Sequence, residues 1–385
     1  MSKLNVTIVD SSVGNRYSID LCAALSDVGV GVRLITPVNR VLDGSMDFEV
    51  LRWMPSKAAE VGKAAKLLQY VQYLVTVFLC VFKGIPENRL FHFQFFRRER
   101  IESALFPVLR VLGANLVFTA HNVMPHEHLK WDRWLRLLVY RFADVIIVHS
   151  EYIKRKLARA FKVAEEKIRV IPHGDCDDYV PAEPFSKADA RARLGLPVEK
   201  DIALFFGFIR EYKGLGLLLD AYELCQRKGD QLGLVIAGAP RTPELERRYK
   251  SRIAEISTDG TIVFHPEFIP SEEVATYFLA SDVVILPYKE IDHSAIFHLA
   301  YSFGRPLIAT SVGDFPEVIE DGWSGYLLRE NTAECLAETM LRAFSDRDKL
   351  EKMGAYARHL SETKYSWRDA ARQTMGVYEE VADAH

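Results

Sequence analysis

Cysteine is scarce in this sequence: five residues occur among 385, and no two of them form a C-x-x-C pair. The odd count, with no histidine at metal-ligand spacing from a cysteine pair, argues against a disulfide framework and against a structural zinc site. The N-terminus lacks the basic stretch, apolar stretch and cleavage site of a secretory signal. We therefore expect a reduced, cytoplasmic protein.

An excess of either charge is also missing, since 49 Lys and Arg residues and 52 Asp and Glu residues leave a net charge of -3. A domain that binds nucleic acid is normally basic as a whole, so we expect no nucleic-acid partner. The composition is 49% hydrophobic and 26% charged. Those fractions are typical of a globular protein and exclude disorder, collagen and coiled coil as descriptions of the whole chain.

No apolar run is long enough to cross a membrane as a helix. The longest, residues 67–82, contains Gln69 and Gln72 and falls short of the roughly 18 to 20 residues required. Its polar side consists of Lys63, Lys66, Gln69, Gln72 and Thr76. Two interpretations stay open. The segment is either a helix packed on a sheet or an interfacial helix surrounded by basic residues, namely Lys57, Lys63, Lys66, Lys83, Arg97, Arg98 and Arg100.

Short β-branched runs alternate with longer amphipathic stretches, which predicts βαβ units and parallel sheets covered by helices. The first series of predicted strands is Leu4–Val9, Val32–Thr36, Leu90–Phe95, Leu116–Thr119, Val145–His149 and Ile168–Ile171. The second series is Ile202–Phe206, Leu232–Ala237, Thr261–Phe264, Val283–Leu286, Leu307–Ala309 and Gly325–Leu328. A turn-rich stretch at 172–200 separates them and indicates a domain boundary. We predict an α/β protein of two doubly wound Rossmann-like parallel-sheet domains facing a cleft, with ligands beyond the carboxyl ends of the strands.

Two loops of the first series carry candidate site residues. The first turn, with Gly14 and Asn15 before a helix, is able to cradle an anion, although a plain serine-capped turn is an equal alternative. It lacks the three-glycine pattern of a dinucleotide site. After the strand that ends near Thr119, a cluster of His121, Asn122, His126 and Glu127 favours contact with a polyhydroxyl ligand over a purely structural role.

Two loops of the second series suit an anionic ligand. Gly207, Arg210 and Lys213 lie between the first strand and helix of this series, and two cations three residues apart suit a diphosphate. We expect this loop to be exposed, and a solvated Arg/Lys pair is the alternative. The second loop opens a helix N-terminus with Glu290, Asp292, His293, Ser294 and Ala295. Asp175 and Asp177, although spaced like metal ligands, are interpreted as a turn.

Together these loops resemble one family, the retaining nucleotide-sugar glycosyltransferases of family four (glycosyl transferase group 1), which have the GT-B fold. The matching strings span roughly residues 4 to 380. They are His121-Asn122, Val148-His149-Ser150, Val170-Ile171-Pro172-His173-Gly174, Gly207-Phe208-Ile209-Arg210-x-x-Lys213-Gly214, Ala237-Gly238, Gly304-Arg305-Pro306-x-Ile308-Ala309-Thr310, Val312-Gly313-x-x-Pro316-Glu317-Val318-Ile319 and Tyr365-Ser366-Trp367.

The resemblance implies a hexosyltransferase that moves a sugar from a nucleotide diphosphate sugar to an acceptor with retention. It implies that Arg210 and Lys213 hold the donor diphosphate, that His121 lies near the donor sugar, and that no metal or other cofactor is required. Residues 1–175 would form the acceptor-side domain, with Asn122, His126, Glu127 and His173 on that side. A last helix at about 365–385 would pack back on it, and residues 176–364 would bind the donor.

The chain departs from the family at one place, where most members carry two glutamates eight positions apart. Ile291 and Leu299 stand there instead, and the neighbours Glu290 and Asp292 are partial substitutes. Two alternatives therefore stay open: a non-catalytic GT-B scaffold that binds a sugar or nucleotide, and an inverting or epimerising GT-B enzyme.

A saccharide or a lipid-linked saccharide is the expected acceptor, in the synthesis of a bacterial-type surface polysaccharide or glycoconjugate. The stretch 57–110 holds nine basic residues against four acidic ones, a local excess of five positive charges. Such a patch favours peripheral association with an anionic membrane at the inner face of the cell membrane. A solvated basic surface is the alternative.

Overall fold

The structure is a computed structural model that describes residues 4–12, 16–37, 46–54, 89–96, 99–124, 132–183, 185–229, 232–257 and 261–384, together with positions 68, 71–72, 74–75 and 78–79. The chain divides into two compact units. The first unit comprises Met1–Gly174 and Ser366–His385, and the second comprises Asp175–Tyr365.

A seven-stranded parallel sheet forms the centre of the first unit. Its strands are β1 (Asn5–Val9), β2 (Gly31–Pro37), β3 (Glu49–Met54), β4 (Leu90–Phe93), β5 (Asn115–Thr119), β6 (Val145–Val148) and β7 (Ile168–Val170). Their order is β3-β2-β1-β4-β5-β6-β7, so the chain starts inside the sheet, builds one edge and then crosses over to build the other.

A six-stranded parallel sheet repeats this plan in the second unit. Its strands are β8 (Ile202–Phe206), β9 (Gly233–Ala237), β10 (Ile262–His265), β11 (Val283–Leu286), β12 (Leu307–Ala309) and β13 (Gly325–Leu327). Their order is β10-β9-β8-β11-β12-β13. Both units are therefore doubly wound Rossmann-like α/β folds, which confirms the fold class predicted from the alternating pattern.

Helices cover the faces of both sheets. In the first unit they are α1 (Tyr17–Asp27), α2 (Glu99–Val111), α3 (Asp132–Phe142), α4 (Glu151–Phe161) and the last helix α13 (Trp367–Asp383). In the second they are α5 (Lys187–Arg193), α6 (Leu215–Arg227), α7 (Pro243–Ile256), α8 (Val274–Ala280), α9 (Ala295–Ser302), α10 (Phe315–Val318), α11 (Ala333–Phe344) and α12 (Arg347–Glu362). Because both sheet faces are covered, every residue of β8 and of β9 is buried.

The strand β3 was absent from the sequence prediction. It lies at the edge of the first sheet and pairs with β2 alone, so it tolerates charged residues that interrupt an apolar run. Its Glu49 is exposed and accepts a hydrogen bond from Arg33 of β2 at 2.7 Å. The other strands match their predicted positions within two residues.

The last helix, α13, packs on α1 of the first unit. Ala371 and Tyr378 of α13 are fully buried in one apolar cluster with Leu21 and Leu25 of α1. Trp367, the first residue of α13, lies so close to Gly174 that a Cβ there would approach its ring to 2.1 Å. Ser366 caps the helix by accepting a hydrogen bond from the Asp369 amide.

The apolar segment 67–82 is helical at the seven positions that the structure describes. Six of these are apolar, and their side chains are 37% to 60% exposed: Leu68, Val71, Leu74, Val75, Phe78 and Leu79. These positions do not show the buried apolar face that a helix packed on a sheet requires. Within the described ranges, no helix is both long and apolar enough to span a bilayer.

Candidate functional site

The first unit brings polar side chains together at the carboxyl edge of its sheet. Gln94 follows β4, His121 follows β5, His149 follows β6 and His173 lies three residues beyond β7. These four strands are neighbours in the sheet, so the side chains that follow them converge. Sequence reasoning selected His121 and His173 but missed Gln94 and His149.

His121 is held by hydrogen bonds at both ring nitrogens. Its Nε2 lies 3.0 Å from Oε1 of Gln94, and its Nδ1 lies 2.9 Å from Nε2 of His149. The ring also stacks on Phe95, with the centroids 3.9 Å apart and the planes within 7°. His121 is therefore part of a packed cluster, which the sequence did not indicate.

Tyr17 of α1 stands at the centre of this cluster. Its ring centroid lies 4.6 Å from that of His121, 5.5 Å from that of His149 and 4.8 Å from that of His173. The ring centroid of Trp367 lies 5.0 Å from that of Tyr17 and 5.5 Å from that of His173. Burial raises the pKa of the Tyr17 hydroxyl well above its usual range, so Tyr17 stays neutral.

A fully buried histidine, His92 of β4, holds Gln94 in place. His92 of β4 contacts the Tyr378 hydroxyl at 2.6 Å through Nδ1 and the Thr119 hydroxyl at 2.7 Å through Nε2. The amide nitrogen of Gln94 lies 3.0 Å from His92 Nε2. Burial lowers the pKa of His92 to about 3, so this ring is neutral at physiological pH.

The remaining candidates of the first unit are placed as follows. Asn122 is half-buried directly after His121. Gly14, Asn15, His126 and Glu127 lie outside the described residues.

In the second unit, the loop after β8 turns sharply at two glycines. Gly207 has φ +94° and Gly214 has φ +69°, both in the left-handed region. A Cβ on Gly214 would lie 1.8 Å from the Pro287 carbonyl oxygen, so only glycine fits. The Lys289 amide donates to the Tyr212 carbonyl at 2.7 Å, which ties this loop to the one after β11.

Lys213 is buried, since only 7% of the residue's surface is exposed. The sequence predicted an exposed loop here. Lys213 is buried because a single 3₁₀ turn at Glu211–Lys213, closed by Gly214, directs its side chain inward. Its Nζ lies 5.5 Å from the centre of the Tyr288 ring. Burial, with a smaller effect from the Arg210 charge, lowers the pKa of Lys213 to about 8. Arg210 itself is half-buried.

The N-terminus of α9 lies beside this loop. Ser294 caps the helix by accepting from the Ile296 amide at 3.3 Å. A Cβ placed on Gly207 would lie 3.1 Å from Lys213 Nζ and 3.2 Å from the Ile296 side chain. Gly207, Lys213 and the start of α9, where Ala295 is exposed, are therefore brought together at one edge of the sheet. Cationic side chains and free helix N–H groups at one place can bind a phosphate.

His293 in the loop before α9 pairs with the buried Asp314 in the loop after β12. His293 Nδ1 lies 2.6 Å from Oδ2 of Asp314, and His293 Nε2 lies 3.3 Å from His298 Nε2. Ile291 is buried and Glu290 is exposed. Asp292 is buried. Sequence reasoning did not select Asp314, because the residues after β12 do not show that its carboxylate contacts His293 in the loop after β11.

No group of three or more potential metal ligands of the His, Cys, Asp or Glu type is assembled anywhere in the described part of the chain. The aspartate pair spaced like metal ligands is a turn, as predicted: the Asp177 amide donates to Asp175 Oδ1 at 3.2 Å. Both Asp177 carboxylate oxygens accept from Arg358, at 2.7 and 2.8 Å.

Family comparisons agree with this two-unit architecture. The family model described as "Glycosyltransferase Family 4" matches residues 14–175, and the one described as "Glycosyl transferases group 1" matches residues 186–360. The alpha-maltose-1-phosphate synthase of Mycolicibacterium smegmatis is 26% identical over 289 residues, covering 70% of this chain and 74% of the synthase. Against several D-inositol 3-phosphate glycosyltransferases, the chain spans 53% to 59% of the relative's length.

Solved structures share the fold over the whole chain. Sucrose-phosphate synthase from Thermosynechococcus elongatus superposes with a TM-score of 0.78 at 19% identity and covers 100% of both chains. The Anabaena protein Alr3699/HepE, in complex with UDP-glucose, gives a TM-score of 0.75 at 16% identity, covering 99% of this chain and 100% of that one. At these identities the likeness establishes the fold alone, and that fold is GT-B.

Proposed function

The chain belongs to the group 1 glycosyl transferases, and from that premise we propose that it transfers a hexose from a nucleotide diphosphate sugar to a saccharide acceptor, with retention of the anomeric configuration. The observation that carries the proposal is the buried Lys213 beside Gly207 and the N-terminus of α9. Burying the charge of Lys213 next to Arg210 costs free energy, and a bound anion would offset that cost.

The diphosphate of the donor is the anion that this site suits. As the bond between sugar and phosphate breaks, negative charge develops on the leaving nucleoside diphosphate. Arg210 and Lys213 are fixed cations that would stabilise that charge, in the role a metal ion takes elsewhere. We propose no metal or other cofactor, and we place His121 near the donor sugar.

A thermal-shift series tests the donor assignment. UDP-glucose, GDP-glucose and ADP-glucose should be compared, because a ligand that binds the native state raises its melting temperature. UDP-glucose is the first candidate, since the structurally similar Alr3699/HepE binds it. The shift should disappear in Lys213→Met and Arg210→Ala and persist in Lys228→Met, a control at the exposed far end of α6. Persistence of the shift in both site variants would contradict the assignment.

The anomeric configuration of the product tests whether transfer proceeds with retention. Proton NMR of the new glycosidic bond at early times should show the same anomeric configuration as the donor. An inverted product would instead establish the inverting alternative.

One observation favours a second candidate, a scaffold that binds the nucleotide sugar without transferring it. Ile291 and Leu299 occupy the two family glutamate positions, and each is only 8% exposed. Apolar side chains there remove two polar contacts that the family resemblance implies for sugar and ribose. Calorimetric binding of UDP-glucose without hydrolysis or transfer to any acceptor would support the scaffold.

We further propose that the acceptor is lipid-linked, in surface polysaccharide or glycoconjugate synthesis, and that the first unit docks at the inner face of the cell membrane. The six exposed apolar positions between Leu68 and Leu79 support this, since they recur at helical spacing. The surrounding stretch 57–110 adds nine basic residues against four acidic ones. Each cation near an anionic bilayer contributes about 1 kcal/mol.

Liposome flotation tests the docking surface. Binding should require anionic lipid and fade at high salt, because surface charge is screened within about 8 Å at physiological ionic strength. It should weaken when Phe78 and Leu79 become Ser, whereas Val198→Ser, an exposed apolar residue of the second unit, should leave it unchanged. Equal recovery with neutral and anionic vesicles would exclude an electrostatic contribution to membrane binding. The proposed transferase activity would not be affected by that result.

A further inference from the structure

The pair formed by His121 and His149 has acceptors at both of its ends. Nδ1 of His149 lies 3.0 Å from the backbone carbonyl oxygen of Ile171. Nε2 of His121 lies 3.0 Å from the side-chain oxygen of Gln94. With the Gln94 amide in this orientation neither oxygen can donate, so each of these two ring nitrogens would carry a hydrogen.

The contact between the two rings requires a third hydrogen. Nε2 of His149 and Nδ1 of His121 are 2.9 Å apart, and two bare nitrogens at that distance would repel. Three hydrogens on four nitrogens exceed by one the number that two neutral imidazoles carry. In this orientation of Gln94, the distances correspond to an imidazole hydrogen-bonded to an imidazolium.

We propose that His149 is a positioning residue that fixes the hydrogens on His121, and that the two rings share one positive charge. The surroundings suit a shared charge. Phe95 presents its ring face to His121, with centroids 3.9 Å apart, which stabilises a cation. Hydrogen bonds at all four ring nitrogens then become charge-assisted. His149 is only 4% exposed, so burial opposes the charge, and the hydrogen bonds, which are stronger away from water, must offset that cost.

Other titratable groups border the pair. Tyr17 of α1 and His173 after β7 are in ring contact with His149. Gln94 links the pair to His92 of β4 and through it to Tyr378 of α13. The buried Asp10 follows β1, the strand next to β4, at the same edge of the sheet.

A neutral pair would require a different arrangement of the same atoms. Gln94 would have to turn its amide, so that its NH₂ group donates to His121 Nε2. Its oxygen would then face His92, which would need a hydrogen on Nε2 in place of Nδ1. The two arrangements differ by one proton on the pair, and a measurement that counts ring hydrogens separates them.

The charge has a consequence for catalysis that rests on the proposed function. Both nitrogens of His121 are bonded inside the protein, so the ring can offer a nearby sugar only its C–H groups, among them the Cε1–H between the two nitrogens. A positive charge on the ring polarises the Cε1–H bond and makes it a better donor to a sugar oxygen. His149 would therefore tune His121 without touching the substrate.

The experiment is ¹⁵N NMR of the whole protein labelled at histidine, in which the nitrogen shifts and long-range couplings report which ring nitrogens carry hydrogen. At pH 7 we expect three protonated nitrogens across His121 and His149. In His149→Phe, we expect His121 to become a neutral ring with one hydrogen. Two hydrogens across the wild-type pair at pH 7 would overturn the proposal, whatever the activity of the enzyme.

A second variant tests the arrangement even if His149→Phe does not fold. Gln94→Glu replaces the accepting amide by a carboxylate of the same shape, which should hold the third proton to higher pH than in wild type. An unchanged or lowered titration midpoint of the pair would contradict the arrangement.

Kinetics test the positioning role. His149→Phe should lower kcat about tenfold, the equivalent of one charge-assisted contact, with a smaller change in donor KM. His359→Gln, at an exposed position on α12, is the control and should leave both constants unchanged. Wild-type kcat in a folded His149→Phe would remove the positioning role. Failure of transfer with every donor would instead count against the proposed function, since the NMR result does not depend on it.

Discussion

His293 and Asp314 form a buried pair in the second unit, with Nδ1 of the imidazole 2.6 Å from Oδ2 of the carboxylate. The side chain of Asp314 is fully buried and that of His293 is 8% exposed. Their bond joins the loop that precedes α9 to the loop that follows β12. It therefore fixes the start of α9, which faces Gly207 and Lys213, from inside the protein.

Removing the carboxylate should cost stability. Asp314→Ala leaves the buried His293 N–H without its acceptor, and we expect the free energy of unfolding to fall by about 1.5–3 kcal/mol. Asp314→Asn keeps an accepting oxygen and should cost less. Urea denaturation measures both, and a double-mutant cycle with His293→Phe isolates the pair. Equal losses for Ala and Asn would contradict the role of the oxygen.

The pKa of Lys213 gives donor binding and stability opposite pH dependences. In the folded protein this pKa is lowered to about 8 from 10.5. The donor diphosphate binds the charged form, so affinity should fall as pH rises through about 8. The unfolded chain binds more protons between pH 8 and 10.5, so stability should rise across that window.

Lys213→Met should remove both effects. Calorimetric titration with UDP-glucose and urea denaturation at several pH values measure them separately. If the variant retains the loss of affinity near pH 8, the titrating group is a different one.

Two glycines close in sequence should respond in opposite ways to alanine. Gly214→Ala forces a Cβ to within 1.8 Å of the Pro287 carbonyl oxygen at φ +69°, so we expect a loss of several kcal/mol in the free energy of unfolding. Gly216 lies in α6, and a Cβ there meets nothing within 4 Å. Gly216→Ala should raise stability by up to about 1 kcal/mol. Thermal denaturation compares them, and similar melting temperatures for the two variants would contradict the close approach.

His92 should make the first unit sensitive to acid. Its folded pKa is about 3, against 6.5 for an ordinary histidine, so the unfolded state gains a proton first on acidification. Stability should therefore fall as pH falls from 6.5 towards 3. His92→Gln should flatten this slope of unfolding free energy against pH, and the exposed His359→Gln should not. An unchanged slope in His92→Gln would show that His92 is protonated in the folded state.

The parallel sheets were predictable because their strands are apolar on both faces and leave uninterrupted runs in the sequence, such as Ile202–Phe206. The strand β3 was not predictable from the sequence. It lies at the edge of the sheet and pairs with one strand, so it accommodates the charged residues Glu49 and Arg52, which interrupt the apolar run. The strand at Ile262–His265, also at an edge, was found because its apolar run is intact.

Side-chain partners were beyond the reach of the sequence. His149 and Gln94 meet His121 because β4, β5 and β6 are adjacent, yet 27 or 28 residues separate each partner from His121 along the chain. The burial of Lys213 depends on the backbone of Gly214, and a pattern of charged residues on a loop does not show it.

The return of α13 to the first unit imposes an order on folding during synthesis. The ribosome releases the second unit, Asp175–Tyr365, before the chain reaches Tyr378, whose ring is fully buried in the first unit. The apolar cluster of the earlier 174 residues that contains Leu21 and Leu25 is complete only when the last helix adds Ala371 and Tyr378. The second unit can thus reach its native state first, although it comes later in the sequence. A nascent chain stalled before Trp367 would present an apolar surface on the first unit, the kind of surface that chaperones bind.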